Sequence, residues 1–272
     1  KTVSMKRFDL NDQDCFAALS GDYNPLHLDP VLSRRLLFGE PVVHGVHLVL
    51  CALEEILARG PGPRVLAELK AAFRRPLPLD TPASLEIAEA DQEGFRAEVR
   101  GGHCEVSGRF AAPTEDPSGA AAWHVEPAAP EPPGPCRELT FQQAAAAQGE
   151  VPLGLNPTAL RRMFPWVARC LPALQVAAIL ATTRLTGMSC PGLHTVFDSL
   201  ELRFPARPGP AVLDYRSDRS DERFSVVRLS YSSSFTRIAG AVPHDPRHCT
   251  VSSVNIPSDV VSPAAIPNLR SR

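Results

Sequence analysis

The apolar and polar positions of this chain fall into two runs of elements in the same order. Residues 2–8, "TVSMKRF", suggest a strand. Asn11 then stands as a cap for a short helix over "DQDCFAAL", and "GVHLVLCALEEILAR" (45–59) has apolar residues at helical spacing with almost no polar face, which predicts a buried helix. "VLAELKAAF", "ASLEIAEA", "FRAEVRG" and "HCEVSGRFAA" read as strands separated by Pro, Asp or Gly turn signals.

The second run repeats this order. An apolar helix over "ALQVAAILATTRLTGM" (173–188) meets a "CPG" stop, and "HTVFDSLELRF", "AVLDYRSD", "RFSVVRLSYS" and "FTRIAGAV" follow as strands. Pro41 set against Pro172 gives an offset of 131 (172 − 41), and Phe73 against Phe204 gives the same (204 − 73), as an internal duplication would. Residues 113–135, crowded with Pro, Ala and Gly and without apolar periodicity, read as a linker. The expected organisation is a first half over 1–112, the linker over 113–135, a second half over 136–242 and a Pro/Ser-rich tail over 243–272, draped on the surface or disordered.

Composition narrows the function. The 28 Lys+Arg against 30 Asp+Glu give a net charge of −2 with no like-charge run, so neither a nucleic-acid nor a membrane surface is expected. The seven cysteines are odd in number and never in a CxxC, which argues against a disulfide framework or structural zinc and for a reducing cytoplasm. "ALQVAAILA" is too short to span a bilayer and the first residues lack a signal-peptide core, so a soluble protein is expected. Residue 1 is Lys and the first Met is Met5, so the chain is expected to be a piece of a longer polypeptide or to carry appended residues.

Candidate chemistry concentrates in "LSGDYNPLH" (19–27) and "PVVHGVH" (41–47). Asp22 and His27 lie in a Gly/Asn/Pro turn segment that can aim side chains inward, and Gly45 opens the buried helix, where unpaired N–H groups and the dipole favour anionic oxygen. An Asp and a neutral His facing one small molecule can hold a water between them, and a Gly45 N–H can stabilise charge on a thioester oxygen as water adds across a conjugated double bond. Ser20, Asn24 and His44 read as loop support or substrate-binding, and His44 and His47 as structural or pocket-lining rather than catalytic.

"FAALSGDYNPLHLDP" followed by "PVVHGVHL" resembles the signature of the MaoC-like, (R)-specific enoyl-CoA hydratases, or hydratase 2 family. The resemblance implies an α+β double hot dog, two antiparallel sheets each wrapped around a central helix. It also implies Asp22 and His27 as the catalytic pair and Gly45 as the oxyanion-hole amide. The implied reaction is reversible hydration of a trans-2-enoyl thioester to a (3R)-hydroxyacyl thioester. No cofactor or metal is implied beyond coenzyme A or an acyl carrier protein as the substrate's carrier, and the chain would be a pseudo-dimer, with a homodimer compatible.

The strong motif covers roughly residues 16–50, and the second half departs from it. Aligning "NP" of "DYNPLH" with "NP" of "GLNPTA" (156 − 24 = 132) puts Gly154 opposite Asp22 and Ala159 opposite His27, while Gln175-Val176 stands opposite His44-Gly45. A half that kept its fold and lost its site is expected. Two other functions stay open: a thioesterase using Glu54 or Glu55, and a non-catalytic acyl-binding module. Arg34, Arg35, Lys70, Arg74 and Arg75 are candidates for phosphates of coenzyme A or a carrier arm, though solvated surface accounts for most of them. "PHDPRH", with His244, Asp245 and His248, lacks the helical frame of a metal pair.

Overall fold

The computed structural model describes residues 2–60, 62–111, 127, 129, 134–204, 211–224, 226–232 and 249–255. The first half runs β1 (Thr2–Lys6), α1 (Leu10–Ser20), α2 (Pro25–Leu28), α3 (Gly45–Arg59), β2 (Leu66–Phe73), β3 (Ala83–Ala90), β4 (Gly94–Arg100) and β5 (Cys104–Phe110). The strands pair antiparallel in the order β1-β3-β4-β5-β2. α3 is enclosed because its sequence offers almost no polar face, and Val46, Val49, Leu50, Ala52 and Leu53 are fully buried. Each fully buried Leu here is worth about 1.5–3 kcal/mol relative to exposure, which anchors the helix against the sheet.

The second half runs α4 (Phe141–Ala145), β6 (Gln148–Pro152), α5 (Pro157–Met163), α6 (Pro165–Cys170), α7 (Ala173–Arg184), a π-turn over Leu185–Ser189, β7 (Val196–Phe197), β8 (Ser199–Arg203), β9 (Val212–Asp221), β10 (Val226–Ser232) and β11 (Cys249–Asn255). Its sheet order, β6-β9-β10-β11-β7, is the first sheet's order repeated strand for strand. The expected strand over 194–204 divides at Asp198: β7 stays in the second sheet, while β8 crosses to pair with β2 of the first. That pairing is symmetric under the 131-residue offset. Lys70 faces Glu201 (201 − 70 = 131), and exchanging the strands maps Leu69–Leu202 onto Ala71–Leu200. The two halves therefore meet as two hot dogs joined edge to edge.

Several sequence expectations need correction. Asp9, not Asn11, caps α1, in a capping box with Asp12. The helix expected over 173–188 leaves α geometry after Arg184. α5 and α6 had no signal strong enough to be read, because each is short and Pro-opened. Within the stretch read as a tail, Cys249–Asn255 forms β11 between β10 and β7, since "TVSSV" supplies β-branched residues amid Pro and Ser. Most of the linker, "FTRIAGAV" and the His244/Asp245/His248 cluster lie outside the described residues.

The Asn-Pro step is duplicated in structure as well as sequence. Asn24 caps α2 and Asn156 caps α5, each with Pro at the first helical position and the side-chain oxygen accepting from a first-turn N–H. At the helix starts the register differs. α3 is capped by His44, whereas α7 is capped by Pro172, three residues before the Gln175 that the 131-residue offset sets opposite His44.

Candidate active site

A cavity of about 250 Å³ lies between the halves. Its wall takes Asp22, Asn24 and His27 from the turn segment, Gly45 from the start of α3, and Thr183, Thr186 and Gly187 from the second half. The turn segment is positioned by its own polar groups. The Ser20 hydroxyl accepts from the Asp22 N–H (3.2 Å), the Asp22 carboxylate accepts from the Asn24 N–H (3.2 Å), and the Asn24 side-chain oxygen accepts from the Leu26 N–H (2.9 Å). The Asn24 amide donates to the Gly187 carbonyl (3.0 Å), locking the loop to the π-turn of the other half.

Asp22 is buried, at 2 % exposure, and its second carboxylate oxygen accepts a 2.6 Å hydrogen bond from the Thr183 hydroxyl. Burial raises its pKa, opposed by His27, the Thr183 hydroxyl and the Asn24 N–H. His27 Nδ1 lies 2.7 Å from the Val42 carbonyl oxygen. That oxygen can only accept, so Nδ1 carries the proton and Nε2 is left as the acceptor of the neutral ring. Burial lowers the His27 pKa, against Asp22 and the Val42 carbonyl, which keeps the ring neutral.

His44 stacks on His27 at 3.8 Å and is fully buried. Its ring nitrogens lie 2.9 Å from Gln13 Oε1 and 3.0 Å from the Asp22 carbonyl oxygen. Burial, with His27 and His47 adding to it, holds its pKa well below the usual value. Donor atoms of Asp22, His27 and His44 lie within 4.8 Å of one another, a spacing a metal could use. The neutral His44 ring carries one proton and so donates to only one of its two acceptor oxygens, Gln13 Oε1 or the Asp22 carbonyl. His47 packs against Phe8 and Phe16, accepts from the Gln13 amide (3.3 Å) and is depressed by burial to about 3, which makes it a core residue.

Gly45 serves two demands at once. It opens a fifteen-residue helix onto the cavity, and a Cβ there would sit 2.9 Å from the Phe73 ring, another wall residue. Glu54 lies away from the cavity wall and accepts from the Trp166 and Val167 N–H groups (3.0 and 2.9 Å), capping α6. Glu55 is paired with Lys6 and Arg59. Glu54 is thus engaged in packing the halves together, and Glu55 in ion pairs within the first half.

Sequence reasoning missed Thr183 and Gly187. Their signal was the cluster of hydroxyls in "ATTRLTG": Thr182, Thr183 and Thr186 are all buried, which is unusual for the end of an apolar helix. Gly187 packs against the Asp22 carboxylate so closely that any Cβ would collide with it.

Residues 2–106 match the family model described as "MaoC like domain". The (R)-specific enoyl-CoA hydratase of Aeromonas caviae is 51 % identical over 43 residues, 16 % of this chain and 32 % of that protein. The 3-hydroxyacyl-thioester dehydratase X of Mycobacterium tuberculosis is 36 % identical over 76 residues, 28 % of this chain and 26 % of that protein. The matched stretches thus span a third or less of these curated relatives. Among solved structures, a MaoC-like dehydratase aligns over 94 % of this chain and 98 % of its own, with a TM-score of 0.55 at 12 % identity. A MaoC domain protein from Chloroflexus aurantiacus aligns over 93 % of each chain, with a TM-score of 0.53 at 9 % identity. At those identities the agreement is one of fold, and it extends over both halves. No helix among the described residues is long and apolar enough to cross a membrane. Residues 2–106 thus match a MaoC-like domain, set in a double-hot-dog fold.

Proposed function

We propose that the chain is a hydro-lyase of acyl thioesters, hydrating a trans-2-enoyl thioester to the (3R)-hydroxyacyl thioester or running the reverse dehydration. The observation that carries this reading is the convergence of Asp22, His27 and the Gly45 start of α3 on one cavity. With burial favouring a proton on Asp22 and a neutral His27, the pair holds one proton between them. In hydration, water held against the pair adds its oxygen to the β-carbon and gives a proton to His27 Nε2, while Asp22 delivers its proton to the α-carbon. Transfer of the new proton from His27 to Asp22 restores the starting state. The Gly45 N–H, at the positive end of α3, stabilises charge that develops on the thioester oxygen.

Both protonating groups lie on one short segment, so hydroxyl and α-proton arrive from the same face and addition is syn. The resemblance to (R)-specific hydratases supports the 3R product. The reaction needs no cofactor other than the thioester's own carrier, and the reading places the enzyme in the cytoplasm as a single-site pseudo-dimer. Reaction of a short enoyl thioester in deuterated water, with chiral analysis of the product, is expected to give the 3R alcohol with syn deuterium. An S product, anti addition, or hydrolysis to the free acid would overturn the assignment of the water to Asp22 and His27.

A further inference from the structure

The rim of the cavity combines charge and apolar surface in a way the chemistry inside does not use. Leu37 and Phe38 line the cavity, and the segment leading to them exposes Val31 (66 %), Leu32 (44 %) and Leu37 (50 %). Among these lie Arg34 and Arg35 in a 3-10 turn, Ser33–Arg35, both exposed. The chain that follows is tied to the next wall segment by the Val42–Pro78 bridge and the Val43 N–H to Leu77 carbonyl bond (2.8 Å). That wall segment carries exposed Arg74 and Arg75. None of the four guanidinium groups has an ion pair or side-chain hydrogen bond among the described residues, whereas Arg59, Arg100, Arg109 and Arg203 are all paired with carboxylates. Glu40 is the one carboxylate between residues 30 and 41, in a chain whose net charge is −2.

We propose that this rim is the docking face for an acidic carrier protein that presents the acyl chain on a flexible phosphopantetheine arm. The inference rests on the thioester reading above and adds the partner. Unpaired arginines beside a cavity mouth draw an anionic surface and set its approach. A nucleotide carrier offers phosphates to arginines but nothing aliphatic to cover Val31 and Leu32. An amphipathic acidic helix offers both, and Arg set among apolar residues is the composition such interfaces favour.

The test compares one crotonyl group on three carriers: a bacterial acyl carrier protein, coenzyme A and bare pantetheine. In the full chain with Arg34→Glu and Arg35→Glu together, KM for the carrier-protein substrate is expected to rise about tenfold or more, with steep salt dependence in the unaltered protein. Turnover of the pantetheine thioester is expected to stay within about twofold, which also reports that the variant is folded. An equal rise for coenzyme A would assign the rim to a nucleotide and overturn the proposal. So would unchanged carrier-protein kinetics, or loss of a self-associated state in sedimentation, which would assign the face to a second copy. If no carrier supports turnover by the unaltered chain, it is the hydration reading that fails, not the docking face.

Discussion

The starts of α3 and α7 occupy the same step of a duplicated fold and do different work. At α3, His44 and Gly45 bring an open helix terminus to the cavity beside Asp22 and His27. At α7, Pro172 caps and Ala173 opens the helix, and the buried Gln175 two residues on is bonded to both backbone groups of Leu66 (2.9 and 2.8 Å). The Asn-Pro caps diverge in the same way: Asn24 is buried against the π-turn, Asn156 is exposed. A duplicated half that no longer needs polar groups aimed inward can turn its helix start into a strut. It has not become inert, because Thr183 and Gly187 from the end of α7 and its π-turn hold the Asp22 carboxylate.

The widest separation between the halves is expected in turnover. Asp22→Asn and His27→Ala should each lower kcat by about two to four orders of magnitude, and the double variant should be little worse than the worse single one, because both groups act on one water. Gly154→Ala and Ala159→Ser, at the matching positions, should leave kcat close to that of the unaltered chain. Steady-state kinetics on an enoyl thioester decides it, and comparable losses in both sets would dissolve the distinction between a working and a supporting half.

Gly187→Ala tests whether the supporting half shapes the site directly. The added methyl collides with the Asp22 carboxylate, and a displacement of about 1 Å is enough to lower kcat about a hundredfold. A variant that folds, by circular dichroism, and keeps full turnover would show that the π-turn is only a neighbour.

Thr183→Val should be milder, lowering kcat about tenfold, the scale of one hydrogen bond to a carboxylate. Its diagnostic is the pH profile. The Thr183 hydroxyl favours ionised Asp22, so removing it raises the Asp22 pKa, and the alkaline limb, where the pair loses its shared proton, should move to higher pH. Thr183→Ser should restore the limb.

The remaining contrast concerns stability rather than turnover. His47 is held neutral by burial down to about pH 3, while in the unfolded chain it takes a proton below about pH 6.5. Its folded pKa is depressed, so the unfolded state binds the extra proton and stability falls as pH drops between those values, by about 1.4 kcal/mol per unit at most. Urea unfolding across that window should show a slope to which the buried His27 and His44 also contribute, and His47→Asn, which keeps an acceptor for Gln13, should lessen it by about one proton's share even if its starting stability is lower.

Much of the fold was legible because its signals are local. The boundaries of α3 follow from fifteen residues with almost no polar face, and β3 matches "ASLEIAEA" residue for residue. Asp22, Asn24, His27 and Gly45 stood out because turn chemistry and a helix start need those residue types at close spacing. The cap of α1 was misplaced by two residues because Asp9 and Asn11 are both good caps, and only the Asp9–Asp12 box separates them. β11 was missed because a short strand between Pro-rich stretches takes its stability from its neighbours in the sheet.

The sequence alone thus indicated the order of the main helices and strands, the duplication and the polar groups of one half, since periodicity, capping and turn preference act within a few residues. Only the tertiary structure decided what completes the site. The Thr183–Asp22 bond joins residues 161 apart, and β8 leaves its own half to pair with β2. Such contacts leave no periodic trace, because they depend on how two sheets close over their helices rather than on what any short segment prefers.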